Sequence, residues 1–281
     1  GADVLIATDP DCDRLAVEVV HNGKIQALNG NQVGVLIIDY LLTSMNEKNA
    51  IPKNGAIVKS IVTGEMGSEI AKSYGVKVFN VLTGFKNICA LSNEWDHTEE
   101  YTYIFGYEES IGYNIGSYLR DKDGVAATLI LAEMAGYYKK LGKTLVDVLN
   151  DLYEKYGYYC ENTISIVLEG IEGQERIQRM MKEYRKKNAG SIGNSKLAQI
   201  TDYATSEVTN VITGEKGITD IEKTDAVEFR FEDGCWYTLR PSGTEPKIKL
   251  YIYTKSDTKK AAEDKLQEIE KAVLDVLNSI K

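Results

Sequence analysis

From Asn29 to Leu141 the chain alternates helix-like with strand-like segments, and this rhythm restricts the fold more than any other feature of the sequence. Asn31 to Asn46 carries apolar residues at helical spacing, with Asn29 or Asn31 placed to cap it. Ala56 to Val62 is β-branched and strand-like. Gly67 to Tyr74 reads as a short helix ended by Gly75, Val76 to Val81 as a strand, Phe85 to Trp95 as a helix, and Tyr101 to Gly106 as a strand. Val125 to Leu141 is a long apolar helix ended by Gly142, and Leu145 to Tyr156 is one more helix. Such alternation predicts an α/β domain on a mostly parallel, mixed sheet with helices on both faces.

The flanks read differently. Asp3 to Thr8 and Leu15 to Val20 are two strands around a polar loop, followed by the turn Asn22-Gly23. Two strands do not make a domain, so residues 1–26 are expected to be the end of a domain that begins outside this sequence. Residues 27–157 would form the α/β domain and residues 158–281 a further one, with the boundary near Tyr156 to Asn162. In that last part Asn162 to Leu168 reads as a strand and Glu172 to Lys187 as a charged helix. Three strands follow: Ala226 to Phe231, Trp236 to Arg240 and Lys247 to Thr254. From Thr258 onward Ala262, Leu266, Ile269, Val273, Val276 and Ile280 make the stripe of an amphipathic helix. This predicts a smaller α+β domain on an antiparallel sheet.

A length of 281 residues fits two domains at about 150 residues each. No apolar run reaches the roughly 18 residues of a membrane span, and the first residues show no basic region ahead of an apolar core, so no signal peptide is expected. The net charge of −9 argues against nucleic acid or an anionic membrane as the main partner. Cys12, Cys89, Cys160 and Cys235 lie far apart, which speaks against zinc and against a disulfide framework. The cytoplasm is the default location.

Three loops carry the residue types of chemistry. In Thr8-Asp9-Pro10-Asp11-Cys12-Asp13-Arg14, alternating aspartates on an extended segment can turn three carboxylates toward one point, which suits a hard divalent cation. It is no EF-hand, because the required glycine and final glutamate would be Arg14 and Val20. Mg²⁺, which shares its shell with water and phosphate, fits three carboxylates better than Ca²⁺; the bland alternative is a solvated acidic turn. In Arg240-Pro241-Ser242-Gly243-Thr244-Glu245-Pro246-Lys247, hydroxyls and backbone amides lie between two cations, the makings of an anion nest with Arg240 as a two-pronged donor. An ordinary hairpin turn is the alternative. Gly106-Tyr107-Glu108-Glu109-Ser110 follows a strand of the α/β sheet, where ligands usually bind.

Two cations complete the set. Lys59 lies inside an apolar strand, where a charge needs a reason; an edge strand with Lys59 facing solvent is the plain one. Lys122 lies in Arg120-Asp121-Lys122-Asp123-Gly124, where Asp123 reads as the N-cap of the next helix. His21 and His97 have no sequence neighbour for a triad or a metal site and receive no function.

In this order the loops resemble those of the α-D-phosphohexomutase family, the phosphoglucomutases and phosphomannomutases, and among them the bacterial phosphoglucomutases most. The resemblance implies a metal loop at Asp9, Asp11 and Asp13, with Arg14 steadying the loop or the transferring phosphoryl group. It implies sugar contacts from Glu108 and Ser110, with Thr83 and Gly84 in a further loop near the sugar. Phosphate contacts would come from Arg240, Ser242, Gly243, Thr244 and Lys247, with Lys59 and Lys122 as substrate-binding lysines. The implied cofactors are Mg²⁺ and glucose 1,6-bisphosphate, and the implied partners are a hexose phosphate and the N-terminal domains of the family.

One departure matters. The family's phosphorylated serine lies in a Ser-His-Asn-Pro loop, and no serine here is followed by histidine. The resemblance therefore implies the end of domain 2 with domains 3 and 4 of a phosphoglucomutase, inactive alone. Three close carboxylates repel one another, so Mg²⁺ is expected to bind weakly or not at all without the serine phosphate. The alternatives are a phosphosugar-binding module without catalysis, or a mutase for mannose or pentose phosphates.

Overall fold

A computed structural model describes residues 1–186, 190–243 and 245–281. They form two compact units, Gly1–Tyr156 and Gly157–Lys281.

The first unit opens with β1 (Val4–Thr8), β2 (Leu15–His21) and β3 (Lys24–Leu28), an antiparallel sheet in that order. In β2 the residues Leu15, Val17 and Val19 are buried while Ala16 and Glu18 face out, the alternation of a strand with one covered face. Asn22 and Gly23, at φ of 49° and 72°, close the β2–β3 hairpin in the two-residue turn that the Asn-Gly pair favours.

The α/β alternation follows: α1 (Gly30–Glu47), β4 (Gly55–Ser60), α2 (Met66–Ser73), β5 (Lys77–Val81), α3 (Phe85–Thr98), β6 (Thr102–Glu108), β7 (Gly112–Ile115), α4 (Gly124–Lys140) and α5 (Leu145–Tyr156). Asn29 caps α1, exchanging hydrogen bonds with Gln32 in a capping box. The second sheet has the order β5-β4-β6-β7, parallel except for β7. Every residue of β4 is buried, as befits a central parallel strand. On one face Phe85, Ile88 and Trp95 of α3 pack on Ala56, Val58 and Tyr103. On the other, the Tyr107 ring lies against Gly34 of α1 and Gly67 of α2. The architecture is thus the expected α/β one, with β7 making the sheet mixed.

The second unit comprises β8 (Tyr158–Val167), α6 (Gly170–Lys186), β9 (Leu197–Asp202), β10 (Glu207–Asn210), β11 (Lys216–Ile218), β12 (Val227–Phe231), β13 (Trp236–Pro241), β14 (Lys247–Ser256) and α7 (Lys259–Ser279). Its sheet is antiparallel throughout, in the order β11-β10-β9-β12-β13-β14-β8. Ile177 and Met180 of α6 join Ile269, Val273 and Leu277 of α7 in one apolar core with Phe229, Tyr237 and Leu250 of the sheet. β8 begins four residues before the expected strand, because Tyr158 to Glu161 pair with Ser256 to Tyr253 of β14. The expected end of α6 at Lys187 lies outside the described residues. Among the described residues no helix is long and apolar enough to cross a membrane.

Candidate functional site

The acidic loop joins β1 to β2. The Cys12 amide donates to the Asp9 carbonyl at 2.9 Å, and the Arg14 amide donates to Asp9 Oδ1 at 3.0 Å, so the loop folds back on itself. One carboxylate oxygen from each of Asp9, Asp11 and Asp13 lies within 4.8 Å of the other two. Arg14 Nε stands 3.9 Å from Asp9 and 3.8 Å from Asp13. Burial works to raise the Asp9 pKa, but hydrogen bonds from the Arg14 amide and from the loop outweigh it and hold the carboxyl below its ordinary value. The Asp13 carboxylate is split: Oδ2 lies 2.6 Å from the Lys122 ammonium, while Oδ1 is shielded from solvent and accepts no hydrogen bond. Three hard oxygen donors, one carrying a shielded oxygen that accepts no hydrogen bond, fit a hard divalent cation.

Two further loops are tied to this one. Arg14 bridges to Gly112, and the Leu15 amide donates to the Ile111 carbonyl at 3.1 Å. The Gly124 amide, at the start of α4, donates to the Cys12 carbonyl at 3.1 Å. Asp123 caps α4 by accepting from the Ala126 amide at 2.9 Å, as its sequence position suggested. Burial works against the Lys122 ammonium, but Asp13 and Asp121 beside it raise its pKa above the ordinary value.

At the end of β6, Glu108 is 8% exposed and its Oε1 accepts from the Gly84 amide at 2.6 Å. The structure therefore brings together two of the residues assigned to the sugar. Gly84 precedes α3 at φ 110°, a conformation that favours glycine. The half-buried Thr83 accepts through its carbonyl from Asn87 at 3.0 Å. Ser110 is exposed. Glu109, which received no role from the sequence, accepts at Oε2 from Ser60 and Thr63 at 3.4 and 3.3 Å.

Lys59 needs a correction. It does not face solvent from an edge: β4 pairs on both sides, and Lys59 is 1% exposed. Its ammonium donates to the Thr63 carbonyl at 2.9 Å and lies 3.3 Å from Glu65, so it braces the loop after β4. His21, which received no function, has partners all the same: its Nδ1 lies 3.0 Å from Thr144 Oγ1 and 3.7 Å from Asp147, brought from over a hundred residues away to the start of α5. They tie the end of β2 to that helix.

In the second unit, the loop from β13 to β14 is closed by the Ser242 amide donating to the Lys247 carbonyl at 2.8 Å. The Glu245 amide donates to Ser242 Oγ at 3.2 Å. Arg240, Ser242 and Lys247 are half-buried, whereas Gly243 is exposed, has open space around it and keeps φ outside the left-handed region. Thr244 lies outside the described residues. Lys247 is 2.5 Å from the Glu245 carboxylate. Ser242, Gly243 and Lys247 line a cavity of about 280 Å³ together with Gln174 and Gln178 of α6, which the sequence reading did not single out. Only the packing of α6 against this loop discloses them.

Comparison with known proteins agrees with both units. Residues 29–156 match the family model described as phosphoglucomutase/phosphomannomutase, alpha/beta/alpha domain III. Residues 192–272 match its C-terminal domain. The two models belong to one class of sugar-phosphate mutases and together take in most of the chain. The chain belongs to the phosphoglucomutase/phosphomannomutase family. It is 35% identical over 252 residues to a phosphoglucomutase of Staphylococcus haemolyticus, covering 89% of this chain and 45% of that protein. A Staphylococcus aureus phosphoglucomutase is 36% identical over 255 residues, covering 90% of this chain and 45% of the relative. The chain thus spans less than half the length of these relatives. Among solved structures, the Paramecium phosphoglucomutase parafusin in its open form has a TM-score of 0.65 at 18% identity, over 98% of this chain and 45% of that one. A Burkholderia thailandensis family protein has a TM-score of 0.59 at 13% identity, over 99% and 47%. Both are likenesses of fold.

Proposed function

We propose that this chain is the sugar- and phosphate-recognising half of a phosphoglucomutase, an intramolecular phosphotransferase that interconverts glucose 1-phosphate and glucose 6-phosphate through a phosphoserine and glucose 1,6-bisphosphate. The reading draws on the names of the staphylococcal relatives. The observation that carries it is the binding of the acidic loop to the Glu108–Gly112 segment by Arg14 and Leu15. A cation site and a hydroxyl-recognising loop held in fixed register are what phosphoryl transfer to a sugar requires.

Mg²⁺ held by Asp9, Asp11 and Asp13 would supply positive charge to the phosphoryl group. Arg14 adds a guanidinium beside it. Glu108 and Ser110, with Thr83 and Gly84, orient the sugar hydroxyls, and Lys122 adds charge at the same loops. In the second unit Arg240, Ser242, Gly243, Thr244 and Lys247 hold the phosphate that is not being transferred. The serine nucleophile is supplied by the N-terminal domains of the family, so the chain alone is inactive. The cytoplasm, where four free cysteines stay reduced, is its place of work.

An amide-shift titration with glucose 6-phosphate tests this. Shifts at Ser242, Gly243 and Glu108 to Ser110 are expected, and those of the phosphate loop should vanish in Arg240→Ala. Silence at millimolar ligand, or equal shifts in the variant, would refute it.

A further inference from the structure

Lys122 brings a cation into a loop whose carboxylates already fit one. Its ammonium lies 2.6 Å from Asp13 Oδ2, and the contact is built rather than accidental. The aliphatic stem rests on Gly112, where an added Cβ would come 2.6 Å from Lys122 Cδ and 2.9 Å from the Phe85 ring. The ammonium stands 5.7 Å from the centre of that ring. The segment carrying it is pinned from below: Asn114, 1% exposed, donates from Nδ2 to the carbonyls of Leu119 and Asp121 at 3.2 and 2.8 Å. The Asp123 amide donates to the Tyr113 carbonyl at 2.8 Å. The other oxygen of Asp13 accepts no hydrogen bond and lies 3.8 Å from Arg14 Nε.

We propose that Lys122 and a divalent cation compete for Asp13, so that Lys122 sets the cation affinity of the acidic loop. The inference rests on reading Asp9, Asp11 and Asp13 as the cation loop. An ammonium in contact with a carboxylate occupies one lone-pair direction and repels a dication a few ångströms away. With the dication absent, the same ammonium relieves the repulsion among the three carboxylates. The linkage is reciprocal: whatever Lys122 takes from cation affinity, the cation takes from the hold of Asp13 on Lys122.

The test is a titration of the whole chain with Mn²⁺ at fixed ionic strength, following free Mn²⁺ by electron paramagnetic resonance. Lys122→Met should lower the Kd roughly tenfold, the scale for removing one unit charge from a half-screened site. Lys122→Arg, which keeps the charge, should stay within about twofold of the parent. Lys122→Gln carries the same expectation as methionine where the latter does not fold, judged by circular dichroism. An unchanged or higher Kd in the neutral variants overturns the competition while leaving the cation loop standing. No Mn²⁺ binding by any variant at millimolar concentration overturns both.

Discussion

The Gly124 amide donates to the Cys12 carbonyl across 3.1 Å, and there is no room between the two residues: a Cβ on residue 124 would lie 2.6 Å from that oxygen and 3.0 Å from the Arg14 carbonyl. The acidic loop is therefore seated on the first turn of α4. Gly124→Ala must push two backbone carbonyls aside, a change expected to cost about 1–3 kcal/mol. Urea unfolding measures it, and a variant as stable as the parent would show that the loop gives way freely.

Lys59 is the buried charge on which the loop after β4 depends. Lys59→Met leaves the Thr63 carbonyl and the partly exposed Glu65 without their ammonium, and a loss of about 2–3 kcal/mol is expected. If Lys59 braces its loop and does not grip phosphate, the amide shifts of Glu108 and Ser110 with glucose 6-phosphate should persist in the folded variant. Their disappearance would restore the lysine to the phosphate.

The four thiols should separate by accessibility. Burial pushes Cys89, Cys160 and Cys235 up to about 11, which keeps them protonated at neutral pH, while Cys12 is exposed on the acidic loop. A maleimide should label one site rapidly, and peptide mass spectrometry should place it at Cys12. Rapid labelling that survives Cys12→Ser contradicts this.

Asp39 of α1 is raised above the ordinary carboxylate range by burial, against the opposing pull of the Tyr138 hydroxyl and Lys155. A carboxyl with a raised folded pKa costs stability while ionised, and the cost fades as pH falls through that pKa toward the unfolded value of about 3.9. Asp39→Asn keeps an acceptor for Tyr138 and removes the charge. It should melt higher than the parent at pH 7, by less than about 1 kcal/mol, with the gap closing toward pH 4. A gap that widens on acidification would reverse the assignment.

The sequence made some of this visible and hid the rest for definable reasons. The alternation that produces β4, β5 and β6 with their helices was legible because β4 and β6 are apolar and buried and β5 carries Val78, Phe79 and Val81 in a short β-branched and aromatic run. β3, β10 and β11 were not, since Lys24–Leu28, Glu207–Asn210 and Lys216–Ile218 are short and bury almost nothing fully, with little apolar alternation to read. β7 was hidden by its nearness to the Glu108 loop. Of the site, the aspartate spacing and the hydroxyl-rich turn announced themselves locally. The depth of Lys59 did not, because a lysine in an apolar strand reads alike at an edge and at the centre until the strand order is known. Nor did Asn114 beneath Lys122, or the partners of His21, which arise from contacts between distant segments.

The strand that opens the second unit pairs along its whole length with the one that nearly ends it: Tyr158 faces Ser256 and Val167 faces Lys247. A nascent chain leaving the ribosome thus makes β8 first and must wait for β14 before that edge strand finds its neighbour. Long-range closure of this kind slows folding. The α/β elements of the first unit have all emerged by Tyr156 and can pair while the second unit is still being synthesised, whereas the second folds only once β14 has emerged.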